Sequence, residues 1–597
     1  MKHKVLTAAA LLAALIGAAY WATPERELGV QAPAVSTNPA PYPFDLMRRA
    51  AALRTPAVTE GTANELPPGL CWQEGAEEPD IGDPAARKGG RVRLCSAGPF
   101  PANFLAFGGP LPQFFHYNMF TMVELAPVMQ HPVTGRPIPG TAKRWAVQDK
   151  TVFFELDEEA RYSNGRPVRA HDYVLGLVLR AERGEKTTRL ATLRVLGERL
   201  LAAELQSTTP EPVLTAAAEL HAAEPGFYAE FGSDYPQRYA RRIPPTTGGY
   251  TVGEVQRGRS IALQRVPHWW ARNKRFYRYT CNVDTVEYLF PTDATQTLEF
   301  FQRGKTDLLQ TRHLPTWRQL NEAAEANPDI RCVRFRADYP TPPYGIAVNA
   351  RTVSDLRVRR GLMQAIDMDR AVRLLFCGEG ERLTTFTTGY PGSPTDTPQY
   401  RFDPAAARAC FAEAGYTVTG SDGILMTPEG KRLNFTFIYV PSDKVSTLVN
   451  VLVQSARTCG AEIVPRAVSW QENADALKEG TQQLTFWATM PGVPAPDYAR
   501  FFSPQAAGHD APFGVDDAEL NAAVAHAEAA ADPEQAAAAY RRVDQRVQEL
   551  AIWLPGWKEN LVLVAHRARV RFPAFFSTPR PYEVADAHLF WVQEEEP

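Results

Sequence analysis

Residues 154–180, FELDEEARYSNGRPVRAHDYVLGLVLR, contain the pattern that decides the fold of this chain. The stretch opens like a strand, breaks at Asn164-Gly165 and continues with apolar residues at helical spacing. Gly165 supplies the positive φ angle of a tight turn, and Pro167 stiffens its exit. Asp172 falls in the first helical turn, where the helix dipole favours a carboxylate. We predict a strand, a turn and a helix, and we interpret the charged residues as scaffold. The predicted buried side of the helix comprises Val174, Leu175, Val178 and Leu179.

The composition is that of a folded protein with several domains. A chain of 597 residues is too long for one core and predicts two to four domains. Apolar residues make up 45% and charged residues 22%, as in ordinary globular proteins. The formal net charge is −3 and the basic residues are scattered, so no basic stripe could neutralise a run of phosphates. We therefore exclude nucleic acid as a partner.

The N-terminus has the layout of an export signal. Lys2 and Lys4 precede an uncharged, mostly apolar run from Val5 to Ala22, which contains a Gly-Ala-Ala triplet suited to cleavage. The run approaches the length that spans a bilayer, so residues 1–22 are either a signal peptide or an uncleaved anchor. No cysteine precedes Cys71, which removes the attachment point of a lipoprotein. We expect a periplasmic protein, free or tethered to the inner membrane.

Seven cysteines fit this oxidising compartment, where cysteine pairs persist as disulfides. None has the spacing of a redox or zinc motif. We expect at least one disulfide and no catalytic thiol. The cysteines are Cys71, Cys95, Cys281, Cys332, Cys377, Cys410 and Cys459.

The order of the segments predicts a mixed α/β or α+β protein built from several lobes. Residues 23–69 contain eight prolines and little periodicity, and we interpret them as a linker or a surface-wrapping extension. Residues 520–551 are predicted to form a helix pair broken at Asp532-Pro533, with Asp532 as the cap of the second helix. Strands are predicted at 91–97, 151–156, 260–266 and 433–440, and helices at 171–183, 295–304 and 356–376.

Motifs for chemistry are missing from the sequence. No phosphate-binding loop, dinucleotide fingerprint, nucleophile elbow or zincin helix occurs, and the eleven histidines are dispersed. The acids Asp157-Glu158-Glu159 are adjacent, so they cannot face each other across a glycosidic bond. We predict no catalytic residue, no metal site and no cofactor.

The opening stretch closely resembles the signature hairpin and helix of the family 5 extracellular solute-binding proteins, the peptide- and nickel-binding partners of ABC importers. The resemblance continues in PVTGRPIPGTAKRWAVQDK, in PTTGGYTVGEVQRGRSIALQRVPHWWARNKRFYRYTCNVDTVEY, in DATQTLEFFQRGKTDLL, in YGIAVNARTVSDLRVRRGLMQAID and in FDPAAARACFAEAGY. It covers roughly residues 85–560 in family order. Gly248-Gly249-Tyr250 and Pro267-His268-Trp269-Trp270 are slight variants of family motifs. The segment HWWARNKRFYRY is most similar to a long branch that includes binding proteins for microcin C and related peptides.

The resemblance implies a type II periplasmic-binding fold, in which two lobes joined by a hinge close over a ligand. Lobe 1 is expected at 70–340 plus 556–597, with an extra subdomain near 110–235. Lobe 2 is expected at 341–555. The ligand of such a protein lies in the cleft between the lobes.

The resemblance also implies ligand-binding residues. In the family motif Gly-Trp-x-x-Asp, the tryptophan lines the cleft and the aspartate binds the α-amino group of a peptide. Trp487 matches the tryptophan, with a plain core aromatic as the alternative, but Thr489 and Met490 occupy the region of the aspartate. Either the ligand has no free α-amino group, or Asp497, the nearest acid in the same loop, replaces the aspartate. Weaker candidates, for the cleft or for the core and hinge, are Phe115, Tyr117, Asn118, Tyr344 and Asn349.

The function that the resemblance implies is capture and delivery. A peptide or peptide-like ligand would be held extended through its backbone and passed to the permease subunits of an ABC importer in the inner membrane. The protein is expected to be a monomer and not an enzyme. One alternative is a sensor or adaptor that presents its closed state to a membrane receptor. An enzyme is a further alternative, which the missing catalytic constellation opposes.

Overall fold

A computed structural model shows a mixed α/β protein. It describes residues 40–53, 56–96, 100–101, 103–105, 123–182, 189–209, 211–311, 313–336, 343–376, 378, 380–390, 393, 397, 399–488, 498–502, 512–530, 532–558, 561–573 and 587–593. Within these ranges no helix has both the length and the apolar character needed to cross a bilayer. The predicted signal peptide or anchor at 1–22 lies outside them.

The described strands are short and follow one another along the whole chain. They are β1 (Ala57–Glu60), β2 (Arg91–Cys95), β3 (Val128–Gln130), β4 (Pro137–Pro139), β5 (Ala142–Gln148), β6 (Thr151–Leu156), β7 (Leu190–Gly197), β8 (Leu200–Leu205), β9 (Tyr250–Gln256), β10 (Ser260–Arg265), β11 (Thr285–Leu289), β12 (Leu308–Thr311), β13 (Ile330–Arg336), β14 (Gly345–Val348), β15 (Val418–Thr419), β16 (Leu425–Met426), β17 (Asn434–Tyr439), β18 (Glu462–Ala467), β19 (Leu484–Trp487), β20 (Trp553–Pro555), β21 (Leu561–Arg567), β22 (Val570–Arg571) and β23 (Trp591–Val592).

The described helices lie between these strands. They are α1 (Leu46–Ala50), α2 (Ala170–Glu182), α3 (Pro212–Ala218), α4 (Tyr235–Tyr239), α5 (Ala294–Gln302), α6 (Leu314–Ala326), α7 (Leu356–Ala365), α8 (Met368–Leu375), α9 (Pro404–Glu413), α10 (Asp443–Thr458), α11 (Trp470–Glu479), α12 (Tyr498–Phe502), α13 (Ala518–Glu528) and α14 (Pro533–Glu549). The helix predicted at 356–376 is two helices, because Asp367 caps the second one through the backbone N–H of Arg370.

Four larger sheets organise the molecule. The first has the strand order β1-β7-β8-β6-β5, the second β2-β11-β10-β9, the third β12-β21-β13 and the fourth β18-β17-β19-β14-β20. In the third sheet, β21 is the central strand and pairs antiparallel with both neighbours. Separate apolar cores cover the first sheet, the second sheet and the fourth sheet. This division agrees with a protein of several lobes.

The chain passes between the third and the fourth sheet twice. It leaves β13 of the third sheet at residue 336 and enters β14 of the fourth at residue 345. It leaves β20 at residue 555 and enters β21 at residue 561. The predicted lobe boundaries at 340/341 and 555/556 fall within these two passages, and they stay predictions of where the hinge lies.

The opening stretch forms the predicted strand β6, a tight turn and helix α2. Gly165 has φ +82°, and its backbone N–H donates to the carbonyl of Tyr162 at 2.8 Å. The predicted apolar side of α2 is buried, with Val174, Leu175, Val178 and Leu179 at most 1% exposed. Asp172, however, is itself buried, and its carboxylate accepts hydrogen bonds from the hydroxyls of Tyr42 and Tyr162 at 3.0 Å each. The scaffold interpretation holds, but Asp172 belongs to the core and not to the helix surface.

The prediction of a linker at 23–69 is wrong for the part of this segment that the structure describes. Strand β1 pairs parallel with β7 and completes one edge of the first sheet. Helix α1 buries Leu46 and Ala50 in the same core as helix α2. Residues 40–65 therefore form the surface-wrapping extension that was the alternative, because their apolar side chains find a core face to cover.

The expected disulfide is not found among the described cysteines. Cys71, Cys95, Cys281, Cys332, Cys410 and Cys459 are all free thiols. Burial raises the pKa of the Cys95 thiol to about 12 and that of the Cys281 thiol to about 11. Thiols in such surroundings are poor nucleophiles.

Candidate functional site

At one edge of the fourth sheet, the ends of several strands lie beside the two chain passages to the third sheet. The parallel strands β17, β18 and β19 all end at this edge. Gly345, the first residue of β14, pairs there with Trp487 of β19 and with Pro555 of β20. We call it the carboxyl edge. Ligands of open α/β sheets bind outside the carboxyl ends of the strands, so this edge is the candidate wall of the cleft.

Trp487 lies at the carboxyl edge but is 4% exposed. Its ring stacks on Phe386 at 5.6 Å between centroids and meets Phe501 and Phe513 edge-on at 5.2 Å each. Trp487 is thus part of an aromatic core, as its alternative interpretation held. Its role as a ligand contact stays a prediction.

Tyr344 is more accessible than Trp487. It is half-buried and stacks on Trp557 at 5.4 Å with an interplanar angle of 10°. Phe486 contacts both rings, at 5.4 Å and 13° from Trp557 and at 6.2 Å and 14° from Tyr344. Phe486 and Trp487 are adjacent in β19 and point to opposite faces of the sheet. The carboxyl edge therefore carries aromatic rings on both faces, and of these Tyr344 and Phe486 are only half-buried.

Asn349 is a structural residue in this arrangement. It is fully buried, its amide nitrogen donates to the carbonyl of Gly480 at 3.0 Å, and its oxygen accepts the backbone N–H of Arg351 at 3.0 Å. Both ends of the amide are occupied by backbone groups. The structure favours the core alternative for Asn349 and corrects its assignment to the cleft.

The other predicted ligand residues lie outside the described residues. They are Phe115, Tyr117, Asn118, Thr489, Met490 and Asp497. Their assignment to the ligand site stays a prediction.

Asp544 is the residue at this site that the sequence analysis missed. It lies on helix α14, is 3% exposed, and accepts the backbone N–H of Phe386 at 3.1 Å. Burial raises the pKa of its carboxyl to about 7. A signal was present, because Tyr540, Val543 and Val547 recur at helical spacing and place Asp544 on the same buried face.

The described residues hold no group of three or more histidines, cysteines, aspartates or glutamates arranged to bind a metal ion. The described residues at the carboxyl edge offer mainly aromatic side chains and main-chain groups. Such a surface suits binding by stacking, van der Waals contact and main-chain hydrogen bonds.

The comparison with protein families gives one match over most of the chain. The sequence profile of the bacterial extracellular solute-binding proteins, family 5 (middle), matches residues 136–508. This range includes β5 to β8 of the first sheet and β14, β17, β18 and β19 of the fourth. The match therefore joins the scaffold stretch and the carboxyl edge in one family pattern.

Curated relatives match at low identity. A probable ABC transporter-binding protein of Deinococcus radiodurans is 22% identical over 400 residues, which are 61% of this chain and 67% of the relative. The uncharacterized protein YejA of Escherichia coli is 24% identical over 334 residues, which are 51% of each chain. The chain thus spans between half and two thirds of the length of these relatives.

A solved structure shows the same fold over nearly the whole molecule. The oligopeptide-binding protein AppA of Bacillus subtilis, solved in complex with a nonapeptide, superposes with a TM-score of 0.66 at 16% identity. The superposition covers 85% of this chain and 100% of AppA. The expected two-lobed type II binding-protein fold is confirmed.

Proposed function

Because the chain belongs to the family 5 bacterial extracellular solute-binding proteins, we propose that it is the solute-binding component of an ABC importer. In this proposal it captures a peptide or peptide-like ligand in the cleft beside the carboxyl edge. It then delivers the ligand to permease subunits in the inner membrane.

The observation that carries the proposal is the family match over residues 136–508, which includes the ends of β14, β17, β18 and β19 at the carboxyl edge. The two chain passages between the third and fourth sheets support it, since a two-lobed molecule with few connections can open and close. The aromatic rings of Tyr344, Phe486 and Trp557 at this edge suit an extended ligand held through its backbone.

The chemistry of the ligand depends on how a peptide amine would be bound. Met490 cannot pair with an ammonium group, and Thr489 offers only a hydroxyl. We expect a ligand whose α-amino group is blocked or absent. The alternative is a ligand with a free amine, which Asp497 binds in place of the family's aspartate. A desolvated ammonium without a partner costs several kcal/mol, so the two cases separate clearly in a binding measurement.

The test is a thermal-shift screen of di- to decapeptides, each hit being measured by calorimetry in free and N-acetylated form. A ligand that binds only the folded protein stabilises it by about 2.7 kcal/mol at roughly a hundred times its dissociation constant. We expect a concentration-dependent rise in melting temperature, equal affinity for both forms, and no turnover. No shift with any peptide would count against peptide capture. If acetylation weakens binding to the wild-type protein tenfold but does not weaken binding to Asp497→Asn, Asp497 is favoured as the group that binds the amine.

The proposal places the protein outside the inner membrane and makes it a binder instead of an enzyme. The export signal of the sequence and the family's extracellular description support the location. Cleavage or retention of residues 1–22 can be read from the N-terminal peptide of protein purified from cell fractions.

A further inference from the structure

A buried carboxylate fixes the turn that carries Phe386. The carboxylate of Asp544 on helix α14 accepts the backbone N–H of Phe386 at 3.1 Å and the hydroxyl of Thr387 at 2.7 Å. Thr387 is fully buried, and its oxygen lies 3.2 Å from the hydroxyl of Ser393. One carboxylate thus binds two successive residues of the same turn.

Phe386 is the centre of the aromatic core at the carboxyl edge. Its ring centroid lies 5.6 Å from that of Trp487, 5.1 Å from that of Trp553 and 6.0 Å from that of Tyr498. The interplanar angle with Trp487 is 27°, so the two rings are stacked. A movement of the turn at Phe386 would therefore change the surroundings of Trp487.

A second observation points to the same carboxylate. The hydroxyl of Tyr498 is buried at the same turn, where it interacts with Thr387. Burial, and next the charge of Asp544, raise the pKa of Tyr498 well above its usual value. Tyr498 thus lies close to both Asp544 and Thr387.

We propose that Asp544 is a positioning residue for Trp487, acting through the turn at Phe386 and Thr387. The inference rests on the proposed function only in so far as Trp487 is a predicted ligand residue.

The charge state of Asp544 decides the geometry of the turn. The ionised carboxylate accepts from both Phe386 and Thr387. A protonated carboxyl group donates from one oxygen and accepts with the other, so it can no longer accept from both groups. Protonation therefore breaks or reverses the bond that Thr387 donates and changes the constraint on the turn.

The surroundings of Asp544 leave this titration undisturbed by other charges. The charge of Asp544 acts on Tyr498, and the tyrosines Tyr390 and Tyr540 act on Tyr498 as well. Burial raises the pKa of Tyr540 to about 12, so this phenol stays neutral at ordinary pH. No ion pair to Asp544 occurs within the described ranges, and burial alone raises the pKa of its carboxyl to about 7.

The experiment is a pH titration by ¹⁹F NMR of the ligand-free protein labelled with 5-fluorotryptophan. The resonance of Trp487 is assigned by its loss in Trp487→Phe. In the wild-type protein we expect this resonance to titrate with a midpoint near the Asp544 pKa of about 7. Asp544→Asn should leave it flat. Asp172→Asn, which removes the other buried carboxylate with a pKa of about 7, should leave the titration unchanged.

If the Asp544→Asn protein does not fold, the Thr387→Val variant still tests the proposal. The Thr387 hydroxyl stabilises the ionised carboxylate, so its removal should move the midpoint upward by about one pH unit. A flat wild-type resonance, an unchanged titration in Asp544→Asn, or an unmoved midpoint in Thr387→Val would each overturn the proposal. No ligand is needed, so such a result leaves the proposed function standing, and a failed peptide screen leaves this inference standing.

Discussion

Asp172 is a carboxylate that the fold has taken out of water. It accepts the backbone N–H of Arg169 at 2.9 Å and the hydroxyls of Tyr42 and Tyr162 at 3.0 Å each. Burial raises the pKa of its carboxyl to about 7 although these three donors act in the opposite direction. The desolvation of the charge is therefore the larger effect at this residue.

The pH dependence of stability follows from this pKa. The folded-state value of about 7 exceeds the value of about 3.9 for an unfolded aspartate, so between them the folded protein binds more protons. The contribution of Asp172 to stability is present at low pH and is lost as the pH rises toward 7. Relative to Asp172→Asn, the free energy of unfolding of the wild-type protein should fall by about 2 to 3 kcal/mol from about pH 5 to about pH 8.

Urea unfolding at several pH values measures this difference. The exposed Asp149 provides the matched control, since Asp149→Asn removes a carboxylate that stays in water in both states. A gap between wild type and Asp172→Asn that does not change with pH would show that Asp172 is ionised in the folded protein.

Single residues also mark the limit of what the sequence could predict. Helical spacing identifies the buried face of α2 correctly, because apolar residues report burial directly. It also puts Asp172 and Asp544 on buried faces, but it gives no reason to expect a carboxylate to stay there, because aspartate is almost never fully buried unless it is paired. Trp487 could be matched to a family motif, but its burial under Phe501 and Phe513 depends on residues distant in the sequence.

At the scale of elements, the N-terminal extension protects the edge of the first sheet. Strand β1 pairs along β7 from Ala57 with Thr192 to Glu60 with Val195. Arg49 of α1 bonds to Glu182 of α2 at 2.9 Å, and Tyr42 reaches Asp172. The extension thus covers an edge that would otherwise offer unpaired backbone groups to another chain.

Removal of the extension should expose this edge. We expect a chain that begins at residue 62 to unfold at a lower temperature than one that begins at residue 40. The burial of Leu46 alone contributes about 1.5 to 3 kcal/mol. The shorter chain should also self-associate, because the open edge of β7 can pair with a second copy. Thermal unfolding and size-exclusion chromatography measure the two effects, and equal stability of both chains would contradict the packing described.

The sequence could not predict strand β1 for a physical reason. AVTE is only four residues long, follows Pro56 and has a single buried side chain, Val58. Val58 and Thr59 favour a strand, but four residues are too few to show its period, and the edge of β7 sets the conformation. The strands β6 and β10, whose period is visible within one element, were predicted correctly, whereas the helix predicted at 356–376 is two helices.

At the scale of the whole molecule, two passages connect the third and fourth sheets, at residues 337–344 and 556–560. If these passages are the predicted hinge, the lobes can move as bodies about a few residues. Each peptide that raises the melting temperature should therefore reduce the radius of gyration in small-angle X-ray scattering at saturation. A peptide of equal length without a thermal shift is the control, and an unchanged radius for a bound peptide would exclude closure.

The third sheet limits the order in which the sheets of the molecule can form. Its central strand, β21, comes from the end of the chain, whereas its partners β12 and β13 are made more than two hundred residues earlier. The fourth sheet is complete at Pro555, before β21 has been synthesised. Pairings so distant in sequence form slowly, and an unfinished sheet leaves two strands apart with apolar faces exposed. A chain that is stopped or clipped before residue 561 would thus carry a finished fourth sheet and an unfinished neighbour, a species that chaperones and proteases can recognise.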